Sequence, residues 1–233
     1  MVTVIILAAG KGTRMNDKNI PKVCRKIGKE AMIKRVVKTA LQLSPENICI
    51  VVSLENKNSI QAALRSYPNL IYVVQRDVNG TGSAVLSASS IYTRTDILVL
   101  LGDVPLIKES TLRKCLGKNC ILGFQDDNLD NKFGRIILKD NHVERIVEYS
   151  EATEEERKIT TVNSGILSLQ NEHIRFLSQI NNNNSKKEYY LTDIVKILKD
   201  KQIPMTYIEG DKSECIGVNT PVELEEVNKL LNI

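Results

Sequence analysis

Small and basic residues cluster directly after the first apolar segment of this 233-residue chain. Gly10 and Gly12 lack a side chain, so the backbone N–H groups around them can approach an anionic ligand closely. Lys11, Arg14 and Lys22 lie in the same segment and can neutralise negative charge. Because a simple Gly-rich turn does not need these cations, the pattern favours a triphosphate-binding loop over a structural turn.

Two well-known phosphate-binding loops do not fit this segment. The Walker pattern requires a glycine, four residues and then Gly-Lys-Ser or Gly-Lys-Thr, and the chain has no such spacing. The dinucleotide-binding pattern would begin at Gly10 and Gly12, but Met15 occupies the position of its third glycine. That glycine permits close packing of helix on strand, so its replacement argues against a nicotinamide-dependent enzyme.

A candidate metal ligand follows the apolar run 96–102. Asp103 stands at the end of that run, where a carboxylate is costly unless charge or hydrogen bonds compensate it. Mg²⁺ favours one or two carboxylates together with phosphate oxygens, so Asp103 is predicted to bind Mg²⁺ instead of capping a helix near 108–117. Asn219 is the weaker second ligand, because its position just before the N-cap Thr220 suits a structural role almost equally well.

Further polar residues follow other predicted strands. Gln75 can form hydrogen bonds with the edge of a base, and Gly80 and Thr81 would let backbone groups approach it. A loop followed by an N-capped helix explains these three residues equally well. Glu148 and Asn163 can hold sugar hydroxyls, although each taken alone fits an ordinary surface residue better.

The elements predicted to position these residues alternate between strands and helices. Apolar runs predict strands at 2–8, 47–53, 70–74 and 96–101, with helical patterns between them near 31–42, 57–66 and 81–91. This alternation predicts a parallel sheet with right-handed crossovers. Ligands bind at the carboxyl ends of such strands, where the polar residues described above lie.

The pattern changes after Asp103. Short strands are predicted at 120–125, 134–139 and 142–148, with a hairpin turn at Asp140-Asn141. Together they predict a smaller, mixed portion of sheet that covers one side of the site. Further predictions are helices near 171–180 and 189–200, a solvated charged segment at 151–158 and a polar loop at 181–185. The last helix begins with Thr220 as N-cap, Pro221 at its first position and Glu223 completing a capping box.

Composition narrows the class of protein. The 32 basic and 28 acidic residues give a net charge of +4, which is too small to indicate a nucleic-acid partner. The basic residues that suit a small polyanionic substrate are Lys11, Arg14, Lys18, Lys22, Arg25, Lys26 and Lys29. No apolar run is long enough to cross a bilayer, and the N-terminus begins with a predicted strand instead of a signal peptide. We therefore expect a cytoplasmic protein without a membrane partner.

The cysteines predict no metal centre. The five cysteines form no C-x-x-C pair, and only two histidines accompany them, so a zinc site is not expected. Cys49 lies within the apolar run 48–52, a position typical of an inert core thiol. Reduced thiols are consistent with the expected cytoplasmic location.

Taken together, these motifs resemble the sugar-nucleotidyltransferase family. The opening signature is Leu7-Ala8-Ala9-Gly10-x-Gly12-Thr13-Arg14-Met15 with Pro21-Lys22, followed by Gly80-Thr81-Gly82 and Gly102-Asp103-Val104-Pro105. Within that family the chain is similar to the uridylyltransferase half of bacterial bifunctional N-acetylglucosamine-1-phosphate uridylyltransferase/glucosamine-1-phosphate acetyltransferases. The similarity continues through Phe133-Gly134-Arg135-Ile136, Ile146-Val147-Glu148, Val162-Asn163-Ser164-Gly165-Ile166, Glu188-Tyr189-Tyr190-Leu191-Thr192-Asp193 and Gly217-Val218-Asn219.

The resemblance implies a three-layer, Rossmann-like α/β fold with a mixed, mainly parallel sheet, as in nucleotide-diphosphosugar transferases. It implies one domain over residues 1–233, with a nucleotide-binding part at about 1–110 and a sugar-binding part at about 111–233. The uridine and its phosphates would contact Leu7, Ala8, Ala9, Gly10, Gly12, Thr13, Gln75, Gly80 and Thr81. The sugar would contact Gly134, Glu148 and Asn163; Arg14 and Lys22 would be catalytic, and Asp103 and Asn219 would bind Mg²⁺.

The implied reaction joins UTP and N-acetylglucosamine-1-phosphate to give UDP-N-acetylglucosamine and pyrophosphate. Two departures from the family pattern leave alternatives open. The acetyltransferase part of the relatives, a β-helix of hexapeptide repeats, is expected to be absent, and Leu101 stands where the family commonly has a tyrosine. The alternatives are another nucleotide or sugar-1-phosphate as substrate, or a non-catalytic protein that binds sugar nucleotides. The oligomeric state is left open.

Overall fold

The computed structural model describes residues 1–15, 19–140 and 142–231. Lys18 of the basic N-terminal segment and Asn141 of the predicted turn lie outside these residues. The strands are β1 (Val2–Leu7), β2 (Lys26–Ile27), β3 (Glu30–Ala31), β4 (Asn47–Val52), β5 (Ile71–Val74), β6 (Asp96–Leu101), β7 (Cys120–Gln125), β8 (Arg135–Lys139), β9 (His142–Val147), β10 (Thr161–Leu169) and β11 (Thr206–Glu209). The α-helices are α1 (Met32–Gln42), α2 (Lys57–Ala63), α3 (Thr81–Ser87), α4 (Glu109–Arg113), α5 (Glu154–Arg157), α6 (Ile194–Asp200), α7 (Lys212–Cys215) and α8 (Pro221–Leu230), and 3₁₀ segments cover Lys22–Cys24, Asn171–Gln179 and Leu191–Asp193.

The described strands form one large sheet of nine strands in the order β5-β4-β1-β6-β10-β7-β11-β9-β8, and β2 pairs with β3 separately. β5, β4, β1 and β6 are parallel neighbours, and Leu7 of β1 lies in register with Val51 and Leu101. β10 runs antiparallel to β6 and β7, and β9 runs antiparallel to β8 and β11. β7 and β11 are parallel. The predicted mixed, mainly parallel sheet is thus confirmed.

The strands predicted after Asp103 form the mixed portion of the same nine-stranded sheet. β10, which the hydrophobic pattern did not predict, lies between β6 and β7, and its Leu167 pairs with Val99 on one side and Ile121 on the other. The later strands therefore extend the first sheet. The ladder of β10 with β7 shifts register between Asn163 and Ile166, and this bulge interrupts the alternation by which a strand is recognised in sequence.

Helices cover both faces of the sheet and make three layers. Val4 and Ile6 pack on the face covered by α1 and α2, whereas Ile5 packs on the face covered by α3, α6 and the segment Asn171–Gln179. Alternate residues of a strand point to opposite faces, so burial of consecutive residues shows that both faces are covered. This confirms the predicted three-layer α/β architecture.

Several predicted helices are shorter than expected or are 3₁₀ instead of α. The helix predicted at 108–117 is only Glu109–Arg113, and 171–180 is a 3₁₀ segment. The helix predicted at 189–200 is α-helical only over Ile194–Asp200. The final helix is confirmed, since the Thr220 side chain accepts from the backbone N–H of Glu223 and the Glu223 side chain accepts from that of Thr220.

The cysteines are free thiols. Cys49 is fully buried, and burial raises the pKa of its thiol to about 12, as expected of an inert core cysteine. Within the described part of the chain, no helix has both the length and the apolar character needed to cross a bilayer.

Candidate active site

The end of β1 is held between its two neighbouring strands. The N–H of Gly102 donates to the carbonyl of Leu7 at 2.9 Å, and the N–H of Ala8 donates to the carbonyl of Val51 at 2.8 Å. The side-chain amide of Asn56 donates to the carbonyl of Ala8 at 2.8 Å. These bonds fix the backbone just before the glycine-rich loop, so the loop begins from a rigid base.

Met15 explains why this loop departs from a dinucleotide-binding loop. Its side chain is 2% exposed and packs with Ile27, Met32 and Val218. The loop therefore turns back toward the core before Lys22. Gly12 has a φ of +59°, and a Cβ atom there would lie 2.7 Å from the Cβ of Lys22. Only glycine lets the loop and Lys22 approach so closely.

The four residues predicted for charge neutralisation or metal binding come together. The Lys22 ammonium forms an ion pair with the Asp103 carboxylate and donates to the side-chain oxygen of Asn219 at 2.9 Å. One Nη of Arg14 donates to the same Asn219 oxygen at 3.0 Å. These residues lie in three separate segments, so the fold has assembled the cluster.

Asn219 combines a structural role with a place in this cluster. Its backbone N–H donates to the carboxylate of Glu223 at 2.6 Å, as part of the N-terminal cap of α8. The neighbouring N–H of Val218 donates to the carbonyl of Asp103 at 2.8 Å. Because the backbone serves the helix cap and the side chain faces Lys22, the two roles predicted as alternatives for Asn219 are compatible.

The donor set of Asp103 and Asn219 is chemically suited to Mg²⁺. One carboxylate and one amide oxygen both contact the Lys22 ammonium, so a cation already lies between them. Among residues 1–15, 19–140 and 142–231, no three His, Cys, Asp or Glu side chains lie close enough together to hold a metal ion. Mg²⁺ commonly takes one or two protein oxygens and completes its coordination with phosphate and water. The residues present fit that mode of binding.

Two cavities adjoin this cluster. The first, of about 430 Å³, is here called the β1 chamber and is lined by Leu7, Ala8, Ala9, Gly10, Gln75 and Gly80, among others. The second, of about 260 Å³, is called the β8 chamber and is lined by residues that include Gly134, Glu148, Asn163 and Thr192. Thr81, Leu101, Asp103 and Glu148 line both. Asp103 therefore lies where the two chambers meet.

Gln75 and Gly80 form a buried wall of the β1 chamber. Gln75 is 2% exposed, and its amide nitrogen donates to the carbonyl of Gly80 at 3.1 Å and to the hydroxyl of Ser83 at 2.6 Å. Its amide oxygen has no hydrogen-bond partner among the described residues. Gly80 has a φ of +93°, and a Cβ there would lie 2.4 Å from the carbonyl oxygen of Tyr189. A loop that merely precedes a helix would not need this close approach.

Glu148 and Asn163 are not ordinary surface residues. Glu148 is half-buried, accepts from the hydroxyl of Thr192 at 3.1 Å, and has its carboxyl pKa raised by burial. The N–H of Asn163 donates to the carbonyl of Gly134 at 2.8 Å, and its side-chain oxygen accepts from the N–H of Gly165 at 2.9 Å. The predicted sugar-binding residues are therefore brought to one wall.

Leu101 forms the floor between the chambers. Gly165 has a φ of +83°, and a Cβ at that position would lie 2.5 Å from Cδ1 of Leu101. The leucine side chain thus fills the space that the glycine leaves open. Gly12 and Thr13, by contrast, lie in the turn beside the β1 chamber and do not line either cavity.

Three residues in or beside the chambers had no predicted role. Ser83 orients Gln75 from behind the β1 chamber, whereas Thr192, which orients Glu148, and Lys132 line the β8 chamber. Thr192 could have been found from the sequence, because it lies in the segment 188–193, which resembles a family motif. A larger cavity of about 570 Å³, lined by Arg35, Leu106 and Glu214 among others, contains none of the predicted site residues.

The fold, with Lys22 on the Asp103 carboxylate and Arg14 on Asn219 at the strand ends, fits the class of nucleotidyltransferases. The model of the MobA-like NTP transferase domain matches residues 4–120, and the chain belongs to that family. It is 35% identical over 225 residues to the bifunctional protein GlmU of Campylobacter jejuni subsp. doylei. That alignment covers 95% of this chain and 52% of the relative. The chain is 34% identical to the protein of the same name from Paramagnetospirillum magneticum, over 99% of this chain and 52% of the relative. The chain spans about half the length of these curated relatives.

Solved structures show the same fold. A UDP-glucose pyrophosphorylase complexed with UDP-glucose superimposes with a TM-score of 0.76 at 19% identity, over 99% of this chain and 98% of that one. A putative glucose-1-phosphate thymidylyltransferase from Bacillus anthracis gives a TM-score of 0.76 at 19% identity, over 99% and 95% of the two chains. These similarities confirm the Rossmann-like nucleotidyltransferase fold.

Proposed function

We propose that the chain transfers UMP from UTP to N-acetylglucosamine-1-phosphate, with Mg²⁺, and releases pyrophosphate and UDP-N-acetylglucosamine. The observation that carries the proposal is the meeting of the β1 and β8 chambers at Asp103, beside Lys22 and Arg14. Two ligands bound in adjoining chambers can react where the chambers meet. The similarity to the GlmU proteins over nearly the whole chain supports this choice of substrates.

The β1 chamber is the proposed uridine site. Its walls at Ala8, Ala9 and Gly10 are small, which lets a base approach the backbone closely. The amide oxygen of Gln75, which has no hydrogen-bond partner among the described residues, is an acceptor suited to the N–H of uracil. The glycine-rich turn with Gly12 and Thr13 would then lie beside the phosphates.

The β8 chamber is the proposed site of the sugar. A carboxylate at Glu148 and an amide at Asn163 are hydrogen-bonding groups that can hold sugar hydroxyls or an amide substituent. Both residues are already fixed, Glu148 by Thr192 and Asn163 by the backbone of Gly134. Such preorganised groups lose little freedom when they bind a ligand.

Catalysis would consist of positioning and charge neutralisation. An oxygen of the sugar phosphate attacks the α-phosphorus of UTP, and the bond from that phosphorus to pyrophosphate breaks. Because the attacking oxygen is already anionic, no general base is needed. Arg14 and Lys22 would stabilise the negative charge that builds up on the leaving pyrophosphate.

Asp103 and Asn219 are the residues proposed to hold Mg²⁺. The ion would supply additional neutralisation of phosphate charge when bound. Lys22 contacts both of these side chains, so its ammonium would have to shift toward the phosphates as the site fills. Lys22 would therefore exchange its contacts with Asp103 and Asn219 for contacts with the phosphates.

The test is pyrophosphate release by the purified protein across a panel of substrates. UTP with N-acetylglucosamine-1-phosphate should give the highest kcat/KM. Glucose-1-phosphate and dTTP belong in the panel because two proteins of the same fold are named for glucose-containing substrates and thymidylyl transfer. A higher kcat/KM with another pair would reassign the substrates, and binding of UDP-N-acetylglucosamine without any pyrophosphate release would indicate a non-catalytic protein.

A further inference from the structure

Arg135 is a fully buried arginine with an unusual set of partners. It is 0% exposed, yet every hydrogen bond that its guanidinium donates within the described structure goes to an uncharged oxygen. Burial lowers the pKa of Arg135, which shows that the charged form is held there at a cost. An apolar side chain could fill the same space at a lower free-energy cost of burial, so the contacts of Arg135 call for an explanation.

The guanidinium gathers one loop around itself. Nη1 donates to the side-chain oxygen of Asn131 at 2.6 Å and to the carbonyl of Phe133 at 2.7 Å. Nη2 donates to the carbonyls of Leu129 and Asn131, at 3.4 Å each. This loop, residues 129–134, ends at Gly134, which lies in the wall of the β8 chamber with Lys132 and Phe133.

The same guanidinium joins this loop to α5 and to Tyr149. Nε and Nη2 both donate to the carbonyl of Arg157, at the end of α5, at 3.2 Å. The ring of Tyr149 lies 5.4 Å from its Cζ atom, and Lys132 contacts that ring and donates to its hydroxyl at 2.9 Å. Tyr149 directly follows Glu148, so Arg135 lies between two of the segments that shape the β8 chamber.

We propose that Arg135 is the positioning residue of the β8 chamber, holding loop 129–134 in the conformation that binds the sugar phosphate. The inference rests on the proposed function, which assigns the sugar to this chamber. Arg135 itself would not touch the substrate. Its effect is carried by Phe133 and Gly134, and the N–H of Asn163 donates to the carbonyl of Gly134 at 2.8 Å.

Lysine cannot replace arginine in this role. The planar guanidinium directs its donors to carbonyls on opposite sides, whereas an ammonium offers its donors from one point. Arg135→Lys therefore keeps the charge but loses the connection between loop 129–134 and α5. The variant separates positioning from charge.

The experiment compares Arg135→Lys and Arg135→Met with Arg145→Met. Arg145 is a matched control, since it lies on the adjacent strand β9, is exposed and pairs with Glu156 of α5. Both Arg135 variants should raise the KM for N-acetylglucosamine-1-phosphate by about tenfold or more, while the KM for UTP changes by less than about twofold. Arg145→Met should leave both values unchanged.

Equal increases in the two KM values would show that Arg135 only stabilises the fold and would overturn the proposal. Wild-type kinetics of Arg135→Lys would overturn it too, because charge alone would then suffice. If neither Arg135 variant folds, Asn131→Ala removes one acceptor of the guanidinium without touching the buried arginine. It should raise the same KM selectively, and an unchanged KM would contradict the proposal.

A second measurement keeps this proposal distinct from the proposed function. If the wild-type protein turns over no sugar phosphate, the proposed function fails. Amide hydrogen exchange then compares Arg135→Lys with Arg145→Met directly. Faster exchange confined to residues 129–134 supports positioning by Arg135, and unchanged exchange in that loop overturns it.

Discussion

The two chambers are built in different ways. Part of the wall of the β1 chamber is formed by alanine and glycine, at Ala8–Gly10 and Gly80, in loops that follow the parallel strands β1 and β5. The β8 chamber is walled by side chains such as Glu148 and Asn163, which are fixed by partners from distant segments. A backbone wall follows from a short sequence motif. A side-chain wall depends on contacts that only the completed fold provides.

The two chambers also differ in energetic cost. The alanines and glycines that line part of the β1 chamber lose little on burial. Burial raises the pKa of Glu148, which lines both chambers, and lowers the pKa of Arg135, which holds the loop at the wall of the β8 chamber. Groups held in their unfavourable environments reduce stability, and such groups are common at binding sites. We expect substitutions in the β8 chamber that stabilise the fold to weaken ligand binding.

The largest effect is expected at Asp103, which lines both chambers. Asp103→Ala should lower kcat by about 10²-fold or more, because it removes the carboxylate proposed to hold Mg²⁺. Asp96→Ala is the matched control, since Asp96 begins β6 and its carboxylate accepts only from the N–H of Asn171 within the described structure. Its turnover should stay near that of the wild type.

Chelation tests the same assignment without a mutation. Wild-type turnover should disappear with a chelator and return when Mg²⁺ is added. Near-normal turnover by folded Asp103→Ala, or turnover unaffected by the chelator, would remove Asp103 from the chemistry. Asp103, where the two chambers meet, would then contribute to substrate binding alone.

The next largest effect is expected at Arg14 and Lys22. Alanine at either position should lower kcat by about tenfold to 10²-fold and weaken UTP binding less, because their contribution is greatest as pyrophosphate departs. Lys118→Ala is the control, since Lys118 is an exposed cation that lines neither chamber. If Arg14→Ala raised only the KM for UTP, Arg14 would be a binding residue of the β1 chamber.

The strands of the β1 side could be predicted from the sequence because each is a continuous apolar run. β1, β4 and β6 are buried on both faces, and β5 at the edge is half-buried. The capping box at Thr220 and Glu223 was equally local, and the structure confirms it. β10 could not be predicted, because its bulge and the positive φ of Gly165 break the alternating pattern. β11 is short and only half-buried, which leaves a weak hydrophobic signal.

The candidate site divides in the same way. The proposed phosphate loop is a run of neighbouring residues, so its chemistry could be predicted from the sequence. The close approach of Gly80 to Tyr189 and the bond from Thr192 to Glu148 join residues far apart in the chain. Residue types alone therefore left an equally good structural explanation for Gln75 and a better one for Glu148 and Asn163.

A pair of glycine substitutions tests whether the β1 chamber works through its backbone. A Cβ added at Gly10 would meet nothing within 4 Å, so Gly10→Ala should fold normally but raise the KM for UTP by about tenfold. Gly80→Ala should instead destabilise the protein by about 1–3 kcal/mol, because of its positive φ and the contact with Tyr189. Thermal unfolding and UTP kinetics separate the two outcomes. Unchanged UTP kinetics in Gly10→Ala would mean that the nucleotide does not approach this wall.

The smallest effect is expected from Glu148→Gln, and it tests the cost of the β8 chamber. Burial raises the pKa of the Glu148 carboxyl above its ordinary value of 4.5, so the wild-type protein loses stability as the pH rises through that raised pKa. Glutamine does not titrate and can still accept from Thr192. The variant should therefore be more stable at neutral pH, by about 1 kcal/mol or less, and the difference should vanish below pH 4.5. Unfolding midpoints across this pH range, with the exposed Glu155→Gln as control, give the measurement. If the wild-type protein is more stable than Glu148→Gln at neutral pH, the hydrogen bond from Thr192 outweighs the free-energy cost of burying the carboxylate. Burial of Glu148 would then not lower the stability of the protein.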